Sequence, residues 1–357
     1  MKHFTLRLTG HQHAVLKAHL FPGDGNEAVA VALCGRRRGD SSHVLCVHEI
    51  HPISYEDCPE RRPDRVTWST LSVVPFLERA SKEGFSILKV HSHPGGYEQF
   101  SPIDDKSDSD FFASAHGWTD TDDPHASAVM LPNGRMFGRT ISPDGAFEPL
   151  STIAVAGDDL HFWRPAGGRG GARDFAERHA QLFGEETIAR LHQLSVAVVG
   201  CSGTGSPVIE MLARLGVGRL VLVDPDVVEE RNLNRILNTT REDAVLERFK
   251  VDVLAAAIAR MGLGTSVVRI ADNLASLKAV HAVAECDVVF GCMDGAFGRN
   301  IMNRLATFYC VPYFDLGVAL EADGQGGISE ATGAVHYVQP DRSSLRDRRV
   351  YTTQQVW

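Results

Sequence analysis

The chain has 357 residues, 43% hydrophobic and 23% charged, with a formal net charge of −9 at pH 7. That length exceeds one ordinary core and predicts two domains, and the acidic balance argues against a general affinity for nucleic acid or for an anionic membrane surface. No apolar run approaches the roughly 20 residues that span a bilayer, the amino terminus carries no signal-peptide core, and seven cysteines without framework spacing fit reduced thiols in the cytoplasm.

In chain order, Met1 to Thr9 alternates like a strand, and Val29–Cys34 and Val44–Val47 are short apolar runs that predict buried strands. Thr67–Lys82 has helical spacing and leads to Gly84, a C-cap residue. Phe85–Val90 is then a strand that delivers His91 and His93 at its C-terminal end. Ala128–Leu131 and Arg135–Arg139 flank Asn133-Gly134, a hairpin signal. The glycine-rich run around Pro165 predicts a flexible linker over residues 157–174. Beyond it, Val196–Val199, Leu220–Val223, Val267–Ile270 and Val288–Phe290 are continuous apolar runs separated by helical stretches, the signature of a parallel sheet. The expected architecture is α/β: a mixed α/β domain over residues 1–156, the linker over 157–174, and a Rossmann-like parallel-sheet domain over 175–357.

Two histidines at i and i+2 on a strand end point to the same side. His91 and His93 with Asp104, eleven residues further on, offer two imidazoles and one carboxylate and leave a fourth position for water. That donor count suits a catalytic zinc. The chemistry also needs an oxyanion donor and a base. Ser101 is placed for the first. Glu27 is the favoured base and Glu49 the runner-up. His48, His51 and His125 read as ordinary polar residues.

The full pattern, His91-Ser92-His93-Pro94 followed by Ser101-x-x-Asp104, resembles the JAMM motif of the JAB/MPN metalloproteases over roughly Met1 to Leu150. The resemblance implies hydrolysis of peptide or isopeptide bonds after ubiquitin-like C-termini, with Zn2+ held by His91, His93 and Asp104, Ser101 assisting the oxyanion and Glu27 acting as base.

In the second half, a strand runs into Gly200-Cys-Ser-Gly203-Thr-Gly205, and Pro207–Leu215 is the following helix. Such a turn places backbone N–H groups and a helix N-terminus around phosphate. Asp224 closes the next strand, where an acid can hold ribose hydroxyls. To this point an NAD oxidoreductase fits equally well. Asn232, Arg235 and Lys250 favour a triphosphate attacked at its α-phosphorus, whose developing charge needs cations, and Asp294 is then the natural Mg2+ ligand.

This stretch, about Phe175 to Pro340, resembles the adenylyltransferase core of ubiquitin-activating enzymes and their ThiF-like relatives in sulfur-carrier pathways. The resemblance implies that Gly200, Gly203, Gly205, Asp224, Asn232, Arg235, Lys250 and Asp294 bind ATP and Mg2+, with Arg235 assisting catalysis, while a partner's C-terminal carboxylate becomes an acyl-adenylate. Three features depart from the family. Ser202 replaces a second glycine, Ala180 in Arg178-His-Ala-Gln181 stands where a finger arginine is expected, and the paired-cysteine segment near Pro340 is missing. Cys286, Cys292 and Cys310 read as small core residues, while Cys201 in the phosphate turn is the cysteine placed to be reactive.

Together the two resemblances imply a bifunctional enzyme of the kind found in bacterial ubiquitin-like conjugation operons. It would trim or deconjugate a small β-grasp protein and adenylate its C-terminal glycine, with a conjugating-enzyme-like protein as a further partner and homodimerisation through the adenylyltransferase domain. Sulfur-carrier processing and a ubiquitin-like-binding adaptor with a degenerate nucleotide site are the alternatives.

Overall fold

The computed structural model describes residues 3–39, 42–165 and 174–356, and the chain divides into two compact units between Gly167 and Gly168. Residues 166–173 of the expected linker lie outside the described residues.

The first unit runs β1 (His3–Thr9), α1 (Gly10–Leu20), β2 (Val29–Arg38), β3 (Ser42–Pro52), β4 (Glu60–Arg62), β5 (Arg65–Thr67), α2 (Val74–Glu83), β6 (Ser86–Ser92), α3 (Pro102–Thr119), β7 (His125–Met130), β8 (Met136–Ile141), β9 (Phe147–Pro149), β10 (Thr152–Ala156) and β11 (Leu160–Trp163). Its main sheet has the order β11-β10-β1-β3-β2-β6-β7-β8-β9, and β4 and β5 form a separate hairpin. Period-two alternation gives the sheet two apolar faces. Ala28, Ala30, Ala32, Leu88 and Val90 join Leu16 and Leu20 of α1 in one core. Val29, Val31, Leu33 and Ile87 join Leu77 of α2 and Phe111 and Phe112 of α3 in the other. Helices thus cover both faces of β2 and β6, which accounts for the burial of every residue from Val29 to Cys34 and from Ser86 to Ser92.

Two local expectations change. The helix expected from Thr67 begins at Val74, with Pro75 in its first turn; proline fits only there, because it has no N–H to give to the preceding turn. Thr67 ends β5 instead, while Gly84 does cap the helix at φ 73°. The stretch from Leu160 to Trp163, expected in the linker, pairs antiparallel with β10 and forms the edge of the sheet.

The second unit runs α4 (Glu177–Phe183), α5 (Glu185–Gln193), β12 (Ser195–Val199), α6 (Gly205–Arg214), β13 (Arg219–Val223), α7 (Arg241–Val245), α8 (Lys250–Met261), β14 (Ser266–Ile270), α9 (Leu277–Ala284), β15 (Val288–Gly291), α10 (Ala296–Phe308), β16 (Tyr313–Ala322) and β17 (Ile328–Val338). The sheet order is β14-β13-β12-β15-β16-β17, parallel throughout except for the last pair. This is the doubly wound order, in which the chain reverses direction across the sheet between β12 and β15 and opens a crevice at the strands' carboxyl ends. Among the described residues no helix is long and apolar enough to cross a membrane.

Candidate functional sites

The first site lies at the end of β6. Ile87 faces the core beneath α2 and α3, so alternation turns Lys89 and His91 to that face as well. His93 follows the strand end, where its Nδ1 sits 2.7 Å from the Tyr97 carbonyl oxygen. That carbonyl accepts the Nδ1–H, leaving the Nε2 lone pair directed inward.

Helix α3 supplies the carboxylate. Ser101 is its N-cap: Ser101 Oγ accepts the Asp104 N–H at 3.2 Å, and Asp104 Oδ2 accepts the Ser101 N–H at 2.7 Å. This reciprocal box leaves Asp104 Oδ1 3.0 Å from His91 Nε2, with Oδ2 3.4 Å from His93 Nε2 and the two Nε2 atoms 3.2 Å apart. All three residues are buried, and their ligand atoms lie within 4.8 Å of one another, the one such cluster among the described residues. Two imidazole nitrogens aimed at one carboxylate, one of them tautomerically fixed from behind, are a donor set that fits zinc.

The electrostatics agree with the geometry. Burial pushes the Asp104 carboxyl up, but hydrogen bonds to His91 and His93 outweigh it and hold the group well below the usual carboxylate range. Burial lowers His91. His93 is raised on balance, because Asp104 and the Tyr97 carbonyl overcome its burial. Ser101, having accepted the Asp104 N–H, keeps its own hydroxyl proton to donate.

Glu27 reaches this site through strand register. Val29 pairs with His91 across the antiparallel β2–β6 ladder, and the Ser92 N–H donates to the Ala28 carbonyl at 3.1 Å. Two residues further along that register brings Glu27 opposite His93. Glu27 is 5% exposed. Burial raises it to about 8, with His93 opposing the rise and Asp104 adding to it. Glu49, the runner-up, is exposed and paired with Arg79 at 2.7 Å, away from this cluster. His125 is not an ordinary polar residue: it is fully buried, and its Nδ1 accepts the Ile87 N–H at 3.0 Å.

The second site is a cavity of about 540 Å³ at the carboxyl ends of β12, β13 and β15. Gly200, Ser202, Asp224, Asn232, Arg235, Lys250 and Asp294 all line it. Gly203 and Gly205 do not; they act by leaving space. Gly200 has φ 91°, and a Cβ there would lie 2.6 Å from the Cys292 carbonyl oxygen. A Cβ on Gly205 would lie 1.8 Å from the Gly200 carbonyl oxygen. The turn therefore closes tightly enough to start α6 directly behind the cavity. Asp224 accepts the Cys201 N–H at 2.7 Å and the Asp226 N–H at 2.9 Å, and burial raises its carboxyl despite these bonds. Lys250 Nζ lies 2.6 Å from Asp226 and 3.7 Å from Asp224. Asn232 Oδ1 accepts the Glu229 N–H at 3.0 Å, which fixes the loop that carries Arg235.

Asp226, which follows Asp224 in the Asp-Pro-Asp segment, also lines the cavity, as do Arg231 and Phe297, which were missed from sequence. Arg231 adjoins recognised residues, whereas Phe297 has no local signal. Cys201 is fully buried, and its burial, reinforced by Asp224, pushes the thiol well above its usual value. Of the two readings for Cys201, a small core residue or a reactive thiol in the turn, this burial favours the core residue, because a helix N-terminus lowers a thiol only where the thiolate can be solvated.

The comparisons with known proteins bear on the second unit. A family model described as the ThiF family matches residues 176–355, just over half of the chain. The chain is 40% identical over 143 residues to "Adenylyltransferase and sulfurtransferase MOCS3" of Bos taurus, covering 40% of this chain and 31% of that protein. It is 33% identical over 142 residues to "SAMP-activating enzyme E1" of Haloferax volcanii, covering 40% of this chain and 52% of that protein. The chain thus spans about a third to a half of the length of these relatives. Among solved structures, E. coli MccB crystallised with ATP is 26% identical over 44% of this chain and 52% of that chain, with a TM-score of 0.37. With its doubly wound sheet, its glycine turn and a family match across the whole second unit, the chain belongs to the ThiF family.

Proposed function

We propose that the chain is a two-site enzyme of a ubiquitin-like or sulfur-carrier protein system. Its second unit adenylates a partner's C-terminal carboxylate, and its first unit is a zinc-dependent peptidase of the JAB/MPN kind that trims or releases the same tail. The observation that carries the first half is the convergence of Asn232, Arg235, Lys250 and Asp294 on one cavity at the switch point of the sheet. Arg235 and Lys250 together with the carboxylate of Asp294 suit a magnesium triphosphate rather than a dinucleotide. Mg2+ binds through one or two carboxylates together with substrate phosphates, and Asp294 would supply such a carboxylate.

In this reading a carboxylate oxygen of the partner attacks the α-phosphorus of ATP. The new O–P bond forms as the bond to the β-phosphate oxygen breaks, and pyrophosphate leaves. Arg235 and Lys250 stabilise the charge that develops on the phosphoryl oxygens. Lys250 exchanges its contact with Asp226 for phosphate.

In the first unit, His91, His93 and Asp104 would hold zinc, which lowers the pKa of water to about 7 and polarises a carbonyl. Glu27 takes the proton of the attacking water and returns it to the leaving amine. Its carboxyl is buried and held above the usual carboxylate range, and a zinc ion beside it would favour the ionised form that accepts the proton. The Ser101 hydroxyl donates to the oxyanion, while its N-cap role holds it in place.

The names of the relatives, an adenylyltransferase and sulfurtransferase and a SAMP-activating enzyme, support adenylation as the reaction of the second unit and give the sulfur-carrier alternative its footing. ATP–pyrophosphate exchange with such proteins is the test. Exchange that depends on the partner and disappears in Asp294→Ala supports the reading. Absence of exchange with every partner, alongside chelator-sensitive cleavage, would leave a peptidase with an inactive nucleotide unit.

A further inference from the structure

Beneath the candidate metal centre lies a buried group of charges that no step above uses. Lys89 Nζ donates to Asp108 Oδ1 at 2.7 Å and to Ser107 Oγ at 2.9 Å. Arg139 of β8 donates to Asp108 Oδ2 from Nε at 3.1 Å and from Nη2 at 2.7 Å, and it also pairs with Asp105. The Arg139 guanidinium is held between two rings, 3.8 Å from the centroid of Phe100 and 3.9 Å from that of Phe147. Asp108 is fully buried, Lys89 3% exposed and Arg139 7% exposed.

We propose that the Lys89–Asp108–Arg139 cluster is a positioning device that sets the axial position of α3, and through it the Asp104 carboxylate, at the metal centre. The proposal rests on the metal reading of His91, His93 and Asp104.

The argument is one of matched repeats. Two residues along a strand advance about 6.6 Å, and four residues along a helix advance about 6 Å. The step from Lys89 to His91 on β6 therefore keeps pace with the step from Asp108 to Asp104 on α3. The two elements keep step: Lys89 meets Asp108 and His91 meets Asp104, while a rung further back Ile87 shares one apolar cluster with Phe111 and Phe112. At that apolar rung the packing tolerates sliding. At the Lys89 rung the contact is a set of directional bonds from two different strands onto one carboxylate, and a shift of α3 along its axis would break all of them together. Asp104 is one helical turn away, within the same rigid segment.

Stability alone does not account for this choice. A buried ion pair loses in desolvation about what it gains in attraction, and apolar side chains of similar size often serve as well. What the charges add is direction. The cluster joins α3 to both β6 and β8, so the carboxylate ligand is referenced to the strand that carries the imidazoles. Supporting groups of this kind around a metal typically change affinity by about 10–100-fold when removed.

The test is zinc affinity of the full chain, measured by competition with a chromophoric chelator. The variants are Lys89→Met/Asp108→Asn, which removes one charge of each sign and leaves the Arg139–Asp105 pair, and Arg139→Lys, which keeps charge but loses the fork. Phe112→Leu serves as a control that loosens the same helix at its apolar rung. Circular dichroism confirms folding of each chelated protein. The expected result is a loss of roughly 10–100-fold in zinc affinity for the double variant, a smaller loss for Arg139→Lys, and none for Phe112→Leu despite a lower melting temperature. Zinc affinity within about twofold of wild type in a folded double variant, or an equal loss in Phe112→Leu, would overturn the proposal. Should the double variant not fold, unchanged affinity in Arg139→Lys would overturn it too. A wild-type chain that binds no zinc would instead remove the metal reading itself.

Discussion

A Cβ atom on Gly203 would come within 3.2 Å of Arg235 Cδ, so the glycine vacates the space in which the arginine stem lies. The neighbouring Gly205 has a different relationship, with backbone only 1.8 Å from where its Cβ would be. The two glycines of one turn therefore have separable effects. Gly203→Ala displaces a flexible side chain and should lower partner-dependent pyrophosphate exchange by about 10-fold or more, with little change in melting temperature. Gly205→Ala collides with the Gly200 carbonyl and should destabilise the second unit by several kcal/mol, at about the upper end of point-mutant effects. Thermal unfolding beside exchange assays distinguishes them, and equal loss of stability in both would contradict this account.

The acid–base behaviour of Glu27 makes a prediction for the chelated protein. Its carboxyl is raised from 4.5 to about 8 in the fold. Between these values the unfolded chain releases a proton that the folded chain keeps. The group's contribution is fully present below pH 4.5 and is lost as pH rises toward about 8. Glu27→Gln, which stays neutral, should flatten that decline. Urea midpoints at about pH 5 and about pH 7.5 for both proteins measure it, and parallel declines would argue against a buried Glu27.

Metal binding and nucleotide chemistry should separate by mutation. His91→Ala or Asp104→Ala should abolish stoichiometric zinc binding while leaving pyrophosphate exchange intact, and Arg235→Ala should cut exchange by about 100-fold and leave zinc bound. Loss of both activities from any one of these changes in a folded protein would show that the sites are not independent.

Thiol chemistry offers a fourth check. Six of the seven cysteines are buried, and Cys58 alone is half-buried. Burial pushes Cys201 well above its usual value and Cys292 up to about 12. Native alkylation should therefore label Cys58 first and the others only after unfolding. Incubation with ATP and a glycine-ended partner should yield an adenylate but no hydroxylamine-sensitive thioester to Cys201 or Cys292. Recovery of such a thioester would reverse the assignment of these residues to the core.

Much of the second unit could be read directly. The apolar run ending at Val199, the glycines after it and the acid closing the next strand are neighbours in sequence, and their spacing alone dictates a strand, a turn and a helix around phosphate. The His91-x-His93 pair was legible for the same reason, since alternation on a strand needs no tertiary information. The helix reading began too early because apolar spacing continued upstream of Pro75 into a strand and a 3-10 turn.

Other features depend on pairings that no local pattern encodes. Glu27 reaches the candidate metal centre because β2 runs antiparallel to β6 in one register, and a slip of one residue would turn it to the opposite face. Lys89, Asp108 and Arg139 are separated by 19 and 31 residues and become one cluster only when α3 packs across β6 and β8. Leu160–Trp163 looks like the start of a linker until β10 offers it an edge. Sequence by itself determined the elements and the chemistry each could bring, because side-chain period and turn residues act over a few positions. Tertiary structure decided which groups meet, because register and helix placement are set by burial and directional bonds between segments far apart in the chain.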